Sequence, residues 1–173
     1  MRQLILGGAR SGKSALAERI ASESEREVVY VATAQPGDAE MAARIAHHRD
    51  RRPAQWSSVE EPLALAKVLR DHARGDRCLL VDCLTLWLSN LLGHDDTTRF
   101  ARERDALLDA LPTLPGGILL VSNEVGLGVV PMGELTRRFV DEAGRLHQQV
   151  AQRCERVLFV AAGLPLTLKD TSA

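Results

Sequence analysis

The sequence predicts a three-layer α/β protein with helices on both faces of a mostly parallel central sheet. Two observations support this prediction. Short apolar runs alternate along the chain with longer helical patterns, as in consecutive βαβ units. The runs are also apolar nearly throughout, which is typical of strands that helices cover on both faces. The predicted strands are residues 3–6, 27–32, 77–81, 117–122 and 156–161, and residues 164–169 can add an antiparallel edge strand.

Helical patterns fill the intervals between these strands. The longest is expected to place Leu135, Phe139, Leu146 and Val150 on one apolar stripe. The predicted helices are residues 15–20, 38–52, 63–73, 98–111 and 133–153, with one more beginning near residue 83. No repeat, low-complexity tract or linker interrupts the pattern, so residues 1–173 are expected to form a single domain.

The composition excludes several classes of protein. The chain has 173 residues, of which 45% are hydrophobic, so it can bury a core without help from disulfides or a structural metal. Its formal net charge of -1 argues against a protein that coats nucleic acid or anionic lipid, both of which require a basic surface. The apolar start, residues 1–6, is too short for a signal peptide or a membrane span. We therefore expect a cytoplasmic protein with no nucleic-acid partner.

The three cysteines, Cys78, Cys83 and Cys154, are odd in number, widely separated and embedded in apolar runs. This pattern predicts buried, reduced thiols in a cytosolic protein. No pair has the spacing of a zinc site.

A glycine-rich segment follows the first predicted strand directly and leads into a helix. It reads Gly7-Gly8-Ala9-Arg10-Ser11-Gly12-Lys13-Ser14 and matches the phosphate-binding loop motif in its required context. The glycines allow backbone N–H groups to surround a phosphate, and the helix N-terminus adds partial positive charge. Lys13 can reach the β- and γ-phosphates of a nucleotide, and the Ser14 hydroxyl can hold Mg²⁺. The segment predicts nucleotide binding, and with it a three-layer P-loop NTPase (RecA-like) fold.

Asp82 ends the buried run that begins at Cys78. A P-loop site needs an acidic residue at the carboxyl end of a second buried strand, where it binds magnesium directly or through water. An alternative role for Asp82 is to cap the following helix, and the two roles are compatible.

Two adjacent histidines lie in the helix predicted at 38–52. At helical spacing His48 shares a stripe with Met41 and Ile45, whereas His47 lies among charged residues such as Arg44. A neutral imidazole at His47 can attack phosphorus while the arginines neutralise phosphate charge. An ordinary solvent-exposed histidine fits the same pattern, and periodicity does not decide between the two.

Asn123 and Glu124 follow another apolar strand, at the edge of an α/β sheet where ligands bind. We expect them to contact substrate, although a turn would use the same residue types.

In combination these segments identify a family. The chain resembles the bifunctional adenosylcobinamide kinase / adenosylcobinamide-phosphate guanylyltransferase family of cobalamin biosynthesis over nearly its whole length. The resemblance is carried by residues 7–14, 31–35, 38–49 and 121–131. It implies that ATP or GTP phosphorylates adenosylcobinamide. GTP then transfers GMP to His47, and adenosylcobinamide phosphate accepts it to give adenosylcobinamide-GDP.

The resemblance also implies a nucleotide site and an assembly. Family contacts map onto the P-loop, Thr33, Ala34, Gln35, His48, Arg49, Asp50, Arg51, Glu60 and Asp82. Glu60 equally fits the start of the helix that follows Pro62. Family members form homotrimers. Two other functions remain open on the residues alone: a monofunctional P-loop kinase of a small hydroxyl substrate, and a nucleotide-dependent switch or assembly module.

Overall fold

A computed structural model describes residues 1–35, 37 and 53–171 of the chain. The predicted helix at 38–52, with His47, His48, Arg49, Asp50 and Arg51, lies outside these residues.

The described chain forms a seven-stranded sheet flanked by helices. The strands are β1 (Arg2–Gly7), β2 (Glu27–Ala32), β3 (Ser57–Glu60), β4 (Arg77–Asp82), β5 (Gly117–Asn123), β6 (Arg156–Ala161) and β7 (Leu164–Asp170). The helices are α1 (Lys13–Glu23), α2 (Leu65–His72), α3 (Leu84–Leu92), α4 (Arg99–Ala110) and α5 (Glu134–Arg153), with a single 3-10 turn at Leu111–Thr113.

The sheet order is β3-β2-β4-β5-β1-β6-β7. Every pairing between neighbouring strands is parallel except that of β6 with β7, which is antiparallel. The mostly parallel sheet and its antiparallel edge strand are therefore confirmed. Strand β1 lies inside the sheet between β5 and β6, and β5 separates it from β4. Because these strands are parallel, the carboxyl ends of β1, β4 and β5 lie close together along the same edge of the sheet, the carboxyl edge.

Strand alternation divides the core into two layers. On one face α1 packs with Leu16 and Ala17 against a cluster that includes Tyr30, Leu80 and Val121. The other face carries α2 to α5 over a second cluster of buried residues. Trp87 is the largest side chain in that cluster and is fully buried, and its indole N–H donates to the Leu63 carbonyl at 2.8 Å.

Two details differ from the predictions. Strand β3 was not predicted, because Ser57–Glu60 is polar and lies at the edge of the sheet with mostly exposed residues. The apolar stripe of α5 is correct at Leu146 and Val150 but wrong at Leu135, which is 64% exposed. The helix predicted to begin near residue 83 is confirmed, since it begins at Leu84.

The prediction that the three cysteines are buried thiols is confirmed, since Cys78, Cys83 and Cys154 are free and buried. Burial raises the pKa of the Cys83 thiol to about 11 and that of Cys154 to about 12. None of the described helices combines the length and apolar character needed to cross a membrane.

Candidate nucleotide-binding site

The glycine-rich segment folds as a tight loop between β1 and α1. Arg10 and Gly12 adopt left-handed backbone conformations, with φ of 55° and 95°. The Ser11 N–H donates to the Gly8 carbonyl at 3.3 Å, and the Lys13 ammonium group reaches back across the loop to the same carbonyl at 3.2 Å. The loop therefore brings the one lysine of the motif next to the backbone that would surround a phosphate.

The last two strands support this loop from one side. The Gly163 N–H, in the turn between β6 and β7, donates to the Ser11 carbonyl at 2.8 Å. A Cβ atom on Gly7 would lie 2.5 Å from the Val160 carbonyl oxygen, and one on Gly12 would lie 3.1 Å from the Gly163 Cα atom. A side chain therefore has no room at Gly7, and one at Gly12 would be both crowded and strained by the left-handed backbone.

Asp82 lies at the carboxyl end of β4. The hydroxyl of Tyr30, which is 2% exposed and packs in the layer beneath α1, donates to Asp82 Oδ2 at 2.9 Å. The carboxylate is thus held on the α1 face of the sheet, the face on which Ser14 lies in the first turn of α1. A serine hydroxyl and a carboxylate are hard oxygen donors, so this set fits Mg²⁺, which takes one or two protein oxygens alongside phosphates and water.

In the described part of the chain, no three or more His, Cys, Asp or Glu side chains form a group that could hold a metal ion alone.

Thr33, the first residue after β2, is fully buried beside Asp82. Its hydroxyl donates to the Cys83 carbonyl at 2.7 Å and accepts from the Cys83 N–H at 3.0 Å. Asn90 donates its side-chain amide to the Thr33 carbonyl at 2.8 Å and to the Pro62 carbonyl at 3.2 Å. Thr33 thus joins the ends of β2 and β4, while Ala34 is half-buried and Gln35 is exposed. Sequence reasoning missed Asn90, because its partners are 28 and 57 residues away.

The two neighbouring glutamates after residue 59 have different positions. Glu60 ends β3 in register with Ala32, at the same edge of the sheet as Asp82. Glu61 Oε1 accepts hydrogen bonds from the backbone N–H groups of Leu63 and Ala64 at 2.9 and 2.8 Å, just before α2. The role at the start of the helix therefore belongs to Glu61, whereas Glu60 is the last residue of its strand at the edge where the site lies.

Asn123 and Glu124 lie beside the glycine-rich loop. Asn123 is in register with Gly7, and the Glu124 N–H donates to the Gly7 carbonyl at 3.0 Å. Asn123 Oδ1 is a buried oxygen with no hydrogen-bond partner in the structure. Both residues are therefore adjacent to the predicted phosphate site, as the strand-end argument expects.

The fold and the loop define a P-loop nucleotide-binding protein. Solved structures of similar fold include a Pyrococcus horikoshii OT3 protein, with a TM-score of 0.58, 9% identity, and coverage of 98% of this chain and 86% of that one. The RadB recombinase has a TM-score of 0.52 and 16% identity, and the match covers 91% of this chain and 73% of that one. These likenesses concern the fold, and they confirm the predicted α/β class.

Sequence comparison identifies the family. Residues 3–168 match the family model described as cobinamide kinase / cobinamide phosphate guanyltransferase, and the chain belongs to this family. It is 68% identical to the bifunctional adenosylcobalamin biosynthesis protein CobP of Pseudomonas aeruginosa over 169 residues, 98% of each chain. It is 38% identical to CobU of Salmonella typhimurium over 182 residues, which cover 98% of this chain and all of that one. The predicted resemblance and enzyme class are confirmed.

Proposed function

We propose that this enzyme carries out both reactions of its family at the carboxyl edge of the sheet. ATP or GTP phosphorylates adenosylcobinamide, and GTP then donates GMP to adenosylcobinamide phosphate, giving adenosylcobinamide-GDP and pyrophosphate. The observation that carries the proposal is the closed loop at 7–14, with Lys13 folded across it and Asp82 on the α1 face of the same edge. The proposed partners are thus small molecules, a nucleotide and a corrinoid.

In the kinase step the loop holds the triphosphate through backbone N–H groups and the N-terminus of α1. The substrate hydroxyl attacks the γ-phosphorus in line, the bond from that phosphorus to the β-phosphate bridging oxygen breaks, and the hydroxyl proton is lost. Lys13 neutralises charge on the transferring group. Mg²⁺, held by Ser14 and Asp82, would neutralise the phosphate oxygens when bound.

In the transferase step a neutral His47 imidazole attacks the α-phosphorus of GTP and releases pyrophosphate. The phosphate oxygen of the substrate then attacks the same phosphorus, breaks its bond to nitrogen and returns His47 to its free form. The assignment of His47 rests on family membership and on its charged neighbours in the sequence. At a reference pKa near 6.5 most of the imidazole is neutral above pH 7.

The remaining nucleotide contacts are proposed in two groups. Ala34, Gln35 and Glu60 lie at the edge of the sheet and are at least partly accessible. His48, Arg49, Asp50 and Arg51 follow the proposed nucleophile and are assigned by resemblance. We assign Thr33 to positioning, since its hydroxyl, N–H and carbonyl all bond within the protein.

The test is incubation with GTP labelled at the α-phosphate. A phosphoramidate predicts protein-bound label that is labile in acid and stable in alkali. The label should be lost in His47→Ala and retained in His48→Ala, its matched control. Cobinamide phosphorylation without label on the wild-type protein would refute the transferase half and favour a monofunctional kinase. Nucleotide hydrolysis without either corrinoid product would favour a switch.

We further propose that the enzyme works as a cytoplasmic homotrimer. The structure leaves apolar side chains exposed in the loop before α5, in the first turn of α5 and on the edge strand β7. They are Leu127, Val129, Val130, Met132 and Leu135, together with Leu164, Leu166 and Leu168. Exposed apolar patches of this kind are typical of protein interfaces. Light scattering coupled to gel filtration should give three times the chain mass, and a monomer mass would refute this assignment.

A further inference from the structure

A chain of buried polar groups lies on the sheet face opposite α1, directly behind the carboxyl end of β5. Ser122 Oγ is 2.8 Å from His147 Nε2 of α5 and 3.2 Å from Thr85 Oγ1 of α3. Thr85 Oγ1 also accepts the N–H of Asn123 at 2.7 Å. Ser122 and His147 are only 1% and 7% exposed. Polar groups so deeply buried are costly unless each one is paired.

The other side of the His147 ring faces a carboxylate. Nδ1 lies 3.8 Å from Glu124 Oε2, and Glu124 Oε1 accepts the Gly126 N–H at 2.5 Å. A lone pair on Nδ1 would repel the carboxylate, whereas an N–H there is attracted to it. Burial lowers the pKa of His147 and the charge on Glu124 opposes that shift only in part, so the ring is neutral near pH 7. The single ring proton therefore belongs on Nδ1.

This proton fixes the direction of every other bond in the chain. With Nδ1 protonated, Nε2 is an acceptor and Ser122 must donate its hydroxyl hydrogen to it. Ser122 Oγ then accepts from Thr85, whose own oxygen accepts from the Asn123 N–H. The chain begins at the backbone of Asn123 and ends at the carboxylate of Glu124, the next residue. The two ends of this hydrogen-bond chain therefore lie on either side of the peptide bond between Asn123 and Glu124, the two residues predicted to contact substrate.

We propose that His147 is a positioning residue that holds the Asn123–Glu124 pair in place for the phosphate-accepting hydroxyl of the corrinoid. Glu124 is joined to the P-loop through the Gly7 carbonyl, and its side chain is 22% exposed at the edge of the sheet. A carboxylate held there can accept a hydrogen bond from a hydroxyl that approaches the γ-phosphate. The inference rests on the proposed kinase function, although the direction of the hydrogen-bond chain is a property of the protein alone.

Two substitutions of His147 test the contacts of its two ring nitrogens separately. An asparagine at this position can place an amide N–H near the site of Nδ1, and a glutamine can place its amide oxygen, an acceptor, near the site of Nε2. His147→Asn should therefore keep the contact with Glu124, while His147→Gln should keep only the contact with Ser122. We expect kcat/KM for adenosylcobinamide to fall about tenfold in His147→Gln and to stay within about threefold of wild type in His147→Asn. Both variants should bind a fluorescent GTP analogue as tightly as wild type.

The proton position is measured directly by nitrogen NMR of the histidine-labelled protein, with His147→Asn identifying the resonance. A neutral ring protonated at Nδ1 is expected above about pH 7, because burial holds the pKa of His147 below its ordinary value. A ring protonated at Nε2, or full corrinoid activity in His147→Gln with loss in His147→Asn, would overturn the proposal. If the wild-type protein failed to phosphorylate cobinamide, the proposed kinase function would be wrong, and so would this role of His147. The NMR measurement would still test the direction of the hydrogen bonds between Asn123 and Glu124.

Discussion

The first glycine of the P-loop offers a sharp test of how the loop is held. In Gly7→Ala the new Cβ would lie 2.5 Å from both the Val160 carbonyl oxygen and Ser11 Oγ, whereas ordinary contacts begin near 3.4 Å. The Ser11 hydroxyl can rotate away. The Val160 carbonyl cannot move freely, because Val160 is paired with Gly7 across the β1–β6 ladder. The loop must therefore shift to relieve the clash.

The magnitude follows from the cost of that shift. Forcing one extra methyl group into a packed site typically costs roughly 1–3 kcal/mol. If the loop relaxes in the free protein and must return to its original shape around the triphosphate, that energy is subtracted from binding. At about 1.4 kcal/mol for each factor of ten, GTP affinity should fall by roughly ten- to a hundredfold.

The neighbouring glycine provides a matched control. A Cβ on Gly8 meets no atom within 4 Å, and Gly8 is not among the residues of positive φ. Equilibrium titration with a fluorescent GTP analogue should show weak binding for Gly7→Ala and near-normal binding for Gly8→Ala, with thermal unfolding measured on both. Equal affinities for the two variants would refute the steric argument, as would wild-type affinity in Gly7→Ala.

Three further predictions concern the side chains of Tyr30, Arg2 and Cys83. Tyr30→Phe removes the hydroxyl that orients Asp82, so Mg²⁺ should strengthen GTP-analogue binding roughly tenfold less than in wild type; an unchanged Mg²⁺ dependence would contradict this role. Arg2→Met removes a guanidinium that bonds to three backbone carbonyls and Glu155, and urea titration should show a loss of roughly 2–4 kcal/mol. Burial alone raises the pKa of Glu155, but the Arg2 hydrogen bonds outweigh it and hold that pKa below 4.5. Its contribution to stability should thus be complete above pH 4.5 and be lost as pH falls through the lower folded value; the variant keeps the backbone N–H bond from residue 2 to Glu155, so this contribution should become smaller there. Cys83, with a pKa of about 11, should resist a thiol reagent at pH 8 until the protein unfolds, and rapid labelling of the native protein would argue against its burial.

The P-loop and the parallel sheet could be predicted because their signals are local. The motif is a run of eight residues that spans the end of a strand and the start of a helix, and its internal hydrogen bonds join residues no more than five apart. Asp82 was predicted by the same logic, since it marks the end of a continuous apolar strand. The orientation of the Asp82 carboxylate could not be predicted, because it depends on Tyr30, 52 residues earlier in the chain.

The hydrogen-bond chain behind β5, from Asn123 through His147 to Glu124, could not be predicted from local signals. His147 follows Leu146 and precedes Val150 on the buried side of α5, so its pattern is that of a histidine on an apolar helix face. That signal indicates a buried ring but does not name a partner. The partners, Ser122 and Thr85, come from a strand and a helix that only the sheet order brings together. β3 was missed for a related reason, since a short polar edge strand has no apolar alternation.

The two strand-end carboxylates are held from opposite sides of the sheet. Alternation along β4 places Asp82 on the α1 face with Tyr30, whereas Ser122 of β5 turns its side chain to the other face, toward α3 and α5. Asp82 is therefore oriented from within the sheet, and Glu124 from the helical layer behind it. Within the described residues, the hydrogen bonds that orient Asp82 and those behind β5 use different side chains. The two sides of the site still meet at Gly7, whose carbonyl accepts the Glu124 N–H at 3.0 Å, so a change behind β5 can reach the nucleotide loop through the backbone of Glu124.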